Sequence, residues 1–150
     1  MILGIDPGYS LGYAVVDNGR VKIHGTLKTR GTPPERLARI RDLVNSLVEE
    51  FKVSIIAIET AFHGKSVPSL IKLAETRGVV LSVAGERGIE VVELHPSRIK
   101  RGITGNGRAD KRQVIYMVEK ITGLKELSEH EADAIAAALC AYEEVKLCRR

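Results

Sequence analysis

The run Val53–Ile58 constrains the fold of this chain more than any other segment. Four of its six residues, VSIIAI, are valine or isoleucine, and a run this short and β-branched is typical of a strand. It is apolar on both faces, as in a central parallel strand covered on both sides by helices. A helix is predicted before it, from the capping pattern Thr32-Pro33-Pro34-Glu35 and an apolar residue every three or four positions up to Phe51. The segment therefore predicts an α/β fold.

The remaining elements predict a sheet of five strands. The other strands are Ile2–Asp6, Leu11–Val16, Arg20–Leu27 and Ile89–Leu94, and the later helices are Pro68–Glu86, one from about Ala109 to Gly123, and Ser128–Val145, with a glycine-rich basic loop expected before Ala109. Asn18-Gly19 suits a two-residue hairpin turn, so the first three strands are predicted as an antiparallel meander. The order βββαβαβαα indicates a mixed sheet, with the meander and two parallel strands between helices on both faces. It resembles the ribonuclease H fold, as a single domain over residues 1–150.

Composition excludes several classes of protein. The chain has 44% apolar and 28% charged residues, which is typical of globular domains. No apolar run reaches the ~18 residues of a membrane-spanning helix, and MILGIDPG lacks the basic start of a secretion signal. Cys140 and Cys148 have no ligand-spaced partners and are expected to be reduced thiols. We therefore expect a cytoplasmic protein.

The net charge of +4 is unevenly distributed. Residues 98–112 hold six basic side chains and one acidic side chain, so the rest of the chain is close to neutral. Such a basic strip indicates a polyanionic partner, although a solvated basic loop has the same composition.

Two carboxylates close apolar strands. Asp6 ends the first strand and Glu59 follows the fourth. If those strands are parallel neighbours, both side chains lie at one sheet edge, about 4.8 Å apart. Facing carboxylates repel unless a proton or cation lies between them, and their oxygens suit Mg²⁺ or Mn²⁺. Alternatively, Asp6 forms an Asp-Pro-Gly turn and Glu59 is an exposed strand end.

The last helix supplies a third group. His130 and Asp133 share one helical face, and alanines at 132, 134, 136, 137 and 138 allow the helix to pack closely on the sheet. A solvated acidic first turn is the alternative. With Asp6 and Glu59, this pair could hold two divalent cations for phosphodiester hydrolysis by water.

Five stretches resemble the RuvC Holliday junction resolvases: ILGIDPG, IAIETAFHGK, LAETRGVVL, HPSRIKRGITGNGRADKRQV and EADAIAAAL. The resemblance covers nearly the whole chain. It implies a Mg²⁺-dependent homodimer that nicks two opposed strands of a four-way DNA junction in recombination and repair, alongside a RuvA/RuvB-type branch-migration complex. It assigns catalysis to Asp6, Glu59 and Asp133. Its fourth site position falls on His130, where many members have aspartate, so His130 is either a metal ligand or a proton carrier.

The resemblance also implies DNA contacts. It places Phe62 near opened bases, and Lys100 and Lys111 near the DNA backbone; neighbouring candidates are His63, Lys65, Arg101 and Arg108. A core phenylalanine and simple surface cations are the alternatives. His24 and His95 are expected to be structural, and Arg77 is left unassigned.

Other functions are compatible with parts of this pattern. An actin-like kinase shares the Asp-x-Gly start, but needs two such domains and a second phosphate loop. A non-catalytic junction or RNA binder would not need carboxylates that repel phosphate, whereas a YqgF-like RNA nuclease would.

A dimer surface is expected on the Pro68–Glu86 helix, whose apolar residues exceed what one sheet face needs: Leu70, Leu73, Val79, Val80, Leu81 and Val83.

Overall fold

The computed structural model describes residues 1–60 and 66–148. Along these ranges the elements are β1 (Ile2–Asp6), β2 (Ser10–Asp17), β3 (Arg20–Lys28), α1 (Pro33–Phe51), β4 (Ile55–Glu59), α2 (Val67–Arg87), β5 (Glu90–Leu94), α3 (Pro96–Thr104), α4 (Lys111–Thr122) and α5 (Glu129–Cys148). Across residues 1–60 and 66–148, no helix is both long and apolar enough to cross a membrane.

The five strands form one mixed sheet in the order β3-β2-β1-β4-β5. Strand β2 is antiparallel to both β1 and β3, whereas β1, β4 and β5 run parallel. The β2–β3 turn contains Asn18 at φ 48° and Gly19 at φ 77°, the left-handed conformations of a type I′ turn. The predicted meander and parallel pair are therefore confirmed.

Alternate residues of the strands feed two separate cores. Leu3 and Ile5 of β1 point to one face, where they pack with residues of α1 and α2. Ile2, on the same strand, points to the other face and packs with residues of α3, α4 and α5. The prediction of helices on both faces is confirmed, and β4, with Ile56 on one side and Ala57 on the other, is buried on both.

The prediction of a glycine-rich basic loop after β5 is wrong for most of that segment, which forms α3. His95 caps the helix with its side chain, and a proline occupies the first helical position, where its missing N–H is not needed. Ile99 and Ile103, one turn apart, are buried in the core. Gly105 ends the helix at φ 78°. The glycines and basic residues of this segment are typical of a loop, and the sequence interpretation therefore missed a short amphipathic helix.

Helix α2 runs without a break through Gly78 and Gly85, both of which face open space. Three of the six apolar residues that suggested a dimer surface, Leu73, Val80 and Val83, are buried in this chain's own structure. The expectation of surplus apolar surface was wrong for these three. The large apolar residues exposed on α2 are Val67 and Ile71.

Two glycines let α5 lie directly against the sheet. A Cβ on Gly4 of β1 would lie 2.0 Å from the Ala134 carbonyl oxygen, and one on Gly12 of β2 would lie 2.0 Å from the His130 carbonyl oxygen. Alanines of α5, all buried, complete the contact. Helix backbone therefore touches strand backbone, which fixes the height of α5 above β1 and β2.

We predict that Gly4→Ala lowers the free energy of unfolding by about 3 kcal/mol or more, because the new methyl group meets helix backbone that cannot rotate away. Gly78→Ala is the control, since it adds the same methyl group in open space within a helix. Gly78→Ala should raise the free energy of unfolding by roughly 0.5–1 kcal/mol. Urea unfolding of both variants measures the difference. Equal effects would contradict the close contact.

Candidate active site

The ends of β1 and β4 bring two carboxylates to one edge of the sheet. The parallel register of these strands ends with Ile5 beside Ile58, so Asp6 and Glu59 follow at matching positions. Both residues are half-buried. The adjacency on which the sequence interpretation depended is confirmed.

The first turns of α5 extend over this edge. His130 and Asp133 line the same cleft as Asp6 and Glu59, a cavity of about 310 Å³. Glu129, which sequence reasoning treated only as a first-turn acid, lines it as well. Its position next to His130 at the start of the helix was the one signal that could have identified it. All four predicted catalytic residues thus lie around one cavity.

A hydrogen bond joins the sheet to α5 across the cleft. Nδ1–H of His130 donates to Oδ2 of Asp6 at 2.8 Å. This bond is the main cause that raises the pKa of His130; the negative charges of Asp6, Glu129 and Asp133 add to it, and partial burial opposes it. The charged form of the imidazole is therefore favoured beside these acids.

Asp133 has the most perturbed carboxyl group in the cleft. Its pKa is raised to about 7, first by burial and then by the negative charges of Asp6, Glu59 and Glu129, while Lys111 opposes the shift. A carboxyl group shifted this far has several acids within electrostatic reach. Such a shift is typical of functional sites.

Two lysines of the predicted basic strip lie in this cleft. Lys100 on α3 and Lys111 at the start of α4 both line it. Lys111 forms an ion pair with Glu129, and this hydrogen bond is the main cause that raises the lysine pKa. Arg101 and Arg108 are exposed and are not among the described residues that line the cleft. Lys100 and Lys111 are therefore next to the acids, not on a separate surface.

Arg77 of α2, unassigned from the sequence, supports the end of β4. Its guanidinium donates to the main-chain carbonyl of Glu59 at 3.0 Å and to Oε1 of Glu93 on β5 at 3.0 Å. The Thr60 N–H donates to the Leu94 carbonyl at 3.0 Å. These bonds fix the backbone from which the Glu59 side chain extends.

The other predicted positions are outside the site or outside the described residues. Phe62, His63 and Lys65 fall in residues 61–65, which lie outside the described residues. His24 is hydrogen-bonded to Glu131 at 2.8 Å, and His95 caps α3, as expected of structural histidines.

The family model for "Crossover junction endodeoxyribonuclease RuvC" matches residues 2–141. The chain belongs to this family. A RuvC from Halorhodospira halophila is 42% identical over 146 residues, covering 93% of this chain and 87% of the relative. A solved structure of Thermus thermophilus RuvC aligns with a TM-score of 0.83 at 32% identity, covering 97% of this chain and 95% of that one. A structure of the same protein described as "in complex with Holliday junction substrate" aligns with a TM-score of 0.86 at 31% identity, over 98% and 95%.

Nucleases of the RuvC family depend on divalent metal ions, and the donors in the cleft fit such an ion. Asp6, Glu59, Glu129 and Asp133 offer carboxylate oxygens, the ligands that Mg²⁺ prefers. The raised pKa of Asp133 reflects negative charge that a cation would compensate. Among residues 1–60 and 66–148, however, no three such side chains stand in a ready-made metal cluster. In this conformation Oδ2 of Asp6 is bonded to His130 and Oε1 of Glu129 to Lys111, so a bound cation would compete with these two contacts for the same oxygens.

We predict that Asp133→Asn stabilises the metal-free protein at pH 8. The folded-state pKa of about 7 lies above the ordinary 3.8, so the folded protein retains a proton that the unfolded chain has lost. The contribution of the Asp133 carboxyl group to the free energy of unfolding therefore falls as the pH rises from about 4 to about 7. Allowing for solvent screening, the variant should be roughly 1–3 kcal/mol more stable than the parent at pH 8, and equal to it near pH 4.

Chemical unfolding across this pH range, in the presence of a chelator, measures the difference. Asp42→Asn, at an exposed position of α1, is the control and should show no such trend. Added Mg²⁺ should stabilise the parent more than Asp133→Asn, because a ligand of the folded state raises stability through mass action. If Asp133→Asn and the parent differed in free energy of unfolding by the same amount from pH 4 to pH 8, the raised pKa that follows from burial of this carboxyl group would be contradicted.

Proposed function

We propose that this protein is a structure-specific endonuclease that resolves four-way (Holliday) DNA junctions by paired, metal-dependent nicks, in recombination and repair. One observation carries the proposal. The carboxylates of two parallel strand ends, Asp6 and Glu59, share a single cleft with His130 and Asp133. They do so in a chain of the RuvC family, and a relative at 31% identity has been solved with a junction substrate. We also propose that this protein works in the cytoplasm, the location that the sequence predicts.

Asp6, Glu59, Asp133 and His130 are the proposed catalytic residues and metal ligands. We expect two Mg²⁺ ions per site, with Mn²⁺ as a substitute, because the donors are mostly carboxylate oxygens. When bound, such ions activate the attacking water and neutralise charge on the leaving oxygen of a phosphodiester. The chain's own contribution is a half-buried cleft that holds these oxygens at one edge of a rigid sheet.

His130 has a second possible task. Its Nδ1 is engaged by Asp6, and its other ring nitrogen, Nε2, has no hydrogen bond to a described residue. The hydrogen bond to Asp6 is the main cause that raises the pKa of His130, and an imidazole in this position could take a proton from water or return one. The acids that raise the pKa are the same ones that would hold the metal, so bound cations should lower it again.

Lys100 and Lys111 are proposed to hold the phosphodiester backbone at the cleft. Both line it with the acids, so they can compensate the repulsion between carboxylates and phosphate. Arg101 and Arg108 are proposed to contact DNA further from the cut. Contacts by Phe62, His63 and Lys65 remain proposals from the family resemblance.

We also propose a homodimer that works with a branch-migration complex of the RuvA/RuvB type. A four-way junction with two symmetric nicks calls for a two-fold symmetric protein with one self-complementary surface. Val67, exposed at the start of α2, lies on the helix that we propose for this surface.

We predict that Asp6→Asn, Glu59→Gln and Asp133→Asn each reduce cutting at least about 100-fold, because each removes a charged oxygen that holds metal. Junction binding should stay close to the parent value, since these carboxylates hold metal and supply no attraction for DNA. The measurement is cleavage of a labelled four-way junction with and without Mg²⁺, beside a gel-shift titration of the same junction.

Asp42→Asn again serves as a matched control and should cut normally. A variant of Asp6, Glu59 or Asp133 that cuts at the parent rate removes that residue from the metal site. If the parent binds junctions and cuts none in Mg²⁺ or Mn²⁺, it is a non-catalytic binder. Cutting of RNA in preference to junction DNA would instead indicate an RNA nuclease.

We predict that His130→Asp retains most of the Mg²⁺-dependent cleavage, whereas His130→Ala loses at least about tenfold. Aspartate restores both an oxygen ligand and a proton acceptor, and alanine supplies neither. Rates from about pH 5.5 to 8.5 in Mg²⁺ and in Mn²⁺ separate the two tasks. If His130 moves a proton, the rate rises with pH in the parent and this rise is lost in His130→Asp. Parent-like rates for His130→Ala would exclude both tasks.

A further inference from the structure

An exposed aromatic ring stands between the active cleft and a second cavity. Tyr9 follows Asp6 by three residues, in the loop between β1 and β2, and is 59% exposed. It lines the cleft that holds the acids and also a neighbouring cavity of about 580 Å³. The second cavity, bordered by the starts of α1 and α2, therefore adjoins the proposed site of cutting, with Tyr9 lining both.

Tyr9 is held through its backbone by one residue and through its ring by another. Thr29, buried at the end of β3, donates its hydroxyl hydrogen to the Tyr9 carbonyl at 3.1 Å. Lys72 of α2 places its Nζ 3.7 Å from the centre of the Tyr9 ring, within the range of a cation–π contact. Three different elements thus fix the loop, the ring and the ammonium group together.

The second cavity is positively charged. Arg30, Arg36 and Lys72 line it, with Glu75 as its acid. Arg36 is buried and bonds Glu75 at 2.9 Å, which neutralises that acid. Arg30 and Lys72 make no ion pair with a described residue. Residues 28–41 carry five basic side chains and one acidic side chain. They form a second basic segment, which the sequence analysis did not identify because it considered only residues 98–112.

We propose that Tyr9, Lys72 and Arg30 form a binding site for an unpaired DNA strand, which we call the Tyr9 shelf. An exposed aromatic ring flanked by cations is the chemistry that binds single strands, since bases stack on the ring and the cations hold phosphates. Because the shelf adjoins the cleft, the occupant we propose is the strand that passes from the scissile phosphate. The identity of that strand rests on the proposed function, whereas binding to the shelf does not.

Cations line both the acidic cleft and the cavity that adjoins it at Tyr9. Lys100 and Lys111 lie at one side of the cleft, on α3 and α4. Lys72 and Arg30 lie beyond Tyr9, on α2 and the β3–α1 loop. A strand crossing the cleft can therefore be held before and after the phosphate that the acids repel.

The test is binding of a fluorescently labelled oligothymidine, measured by anisotropy in a chelator so that no cutting occurs. Tyr9→Ala should weaken binding roughly 5- to 100-fold, the effect of losing one stacked base. Tyr9→Phe keeps the ring and should bind within about twofold of the parent. Lys72→Ala should make the dependence of log affinity on log salt shallower by roughly 0.7.

Tyr116→Ala on α4 is a matched control. Tyr116 is 58% exposed and also has a lysine over its ring, Lys120 at 5.5 Å, but it does not line the active cleft. It should bind like the parent. Equal affinities for Tyr9→Ala and Tyr116→Ala overturn the shelf, as does a duplex that competes as well as the single strand.

The outcomes separate the shelf from the proposed function. Loss of oligothymidine binding in Tyr9→Ala supports the shelf even if the parent cuts no junction. Normal junction cutting by the parent, with unchanged binding by Tyr9→Ala, overturns the shelf alone. Thermal unfolding of Tyr9→Ala and Lys72→Ala excludes loss of folding as the cause of weaker binding.

Discussion

The contact between the backbone of α5 and the first two strands is the constraint on which the site depends. Gly4 and Gly12 leave no side chain between sheet and helix, so the Ala134 and His130 carbonyls occupy the space that a Cβ would fill. Any larger residue in either strand would lift the helix. Because His130 and Asp133 extend from this helix, their distance from Asp6 at the end of β1 is set by that contact. The geometry of the site is therefore determined by packing beneath it.

Bringing acids together in a half-buried cleft has an electrostatic cost, and the structure shows three ways in which it is reduced. Asp6 accepts a hydrogen bond from His130, Glu129 pairs with Lys111, and the raised pKa of Asp133 lets it keep a proton near neutral pH. Each device supplies positive charge or removes negative charge, as a divalent cation would. The protonated cleft and a metal-loaded one are therefore alternative solutions to the same repulsion.

Much of the fold could be predicted from local signals. The Asn18-Gly19 turn predicted the meander, and the β-branched run of β4 predicted a central parallel strand. The pairing of β1 with β4 was a condition of the site prediction, and its register in the structure places Asp6 beside Glu59. Helix α3 was missed because its turn-forming and basic residues outnumber its two buried isoleucines. Gly102, which weakened a helical interpretation, is there because a Cβ would lie 2.8 Å from the sulfur of Cys140. That reason is tertiary and leaves no local pattern.

The spatial positions of the charged side chains were harder to predict from the sequence than the secondary structure. Counting along the chain put Lys100 and Lys111 on a basic strip, whereas folding brings them to the acids; the same count missed Glu129 and the cations beyond Tyr9. A nuclease site needs this mixture, since carboxylates that hold metal also repel the phosphodiester to be cut. Cations inside the cleft hold the phosphate, and cations outside it guide the flanking strand. Affinity and chemistry thus belong to different side chains of the same cleft, so loss of a carboxylate should leave binding nearly unchanged, whereas loss of a lysine should weaken it.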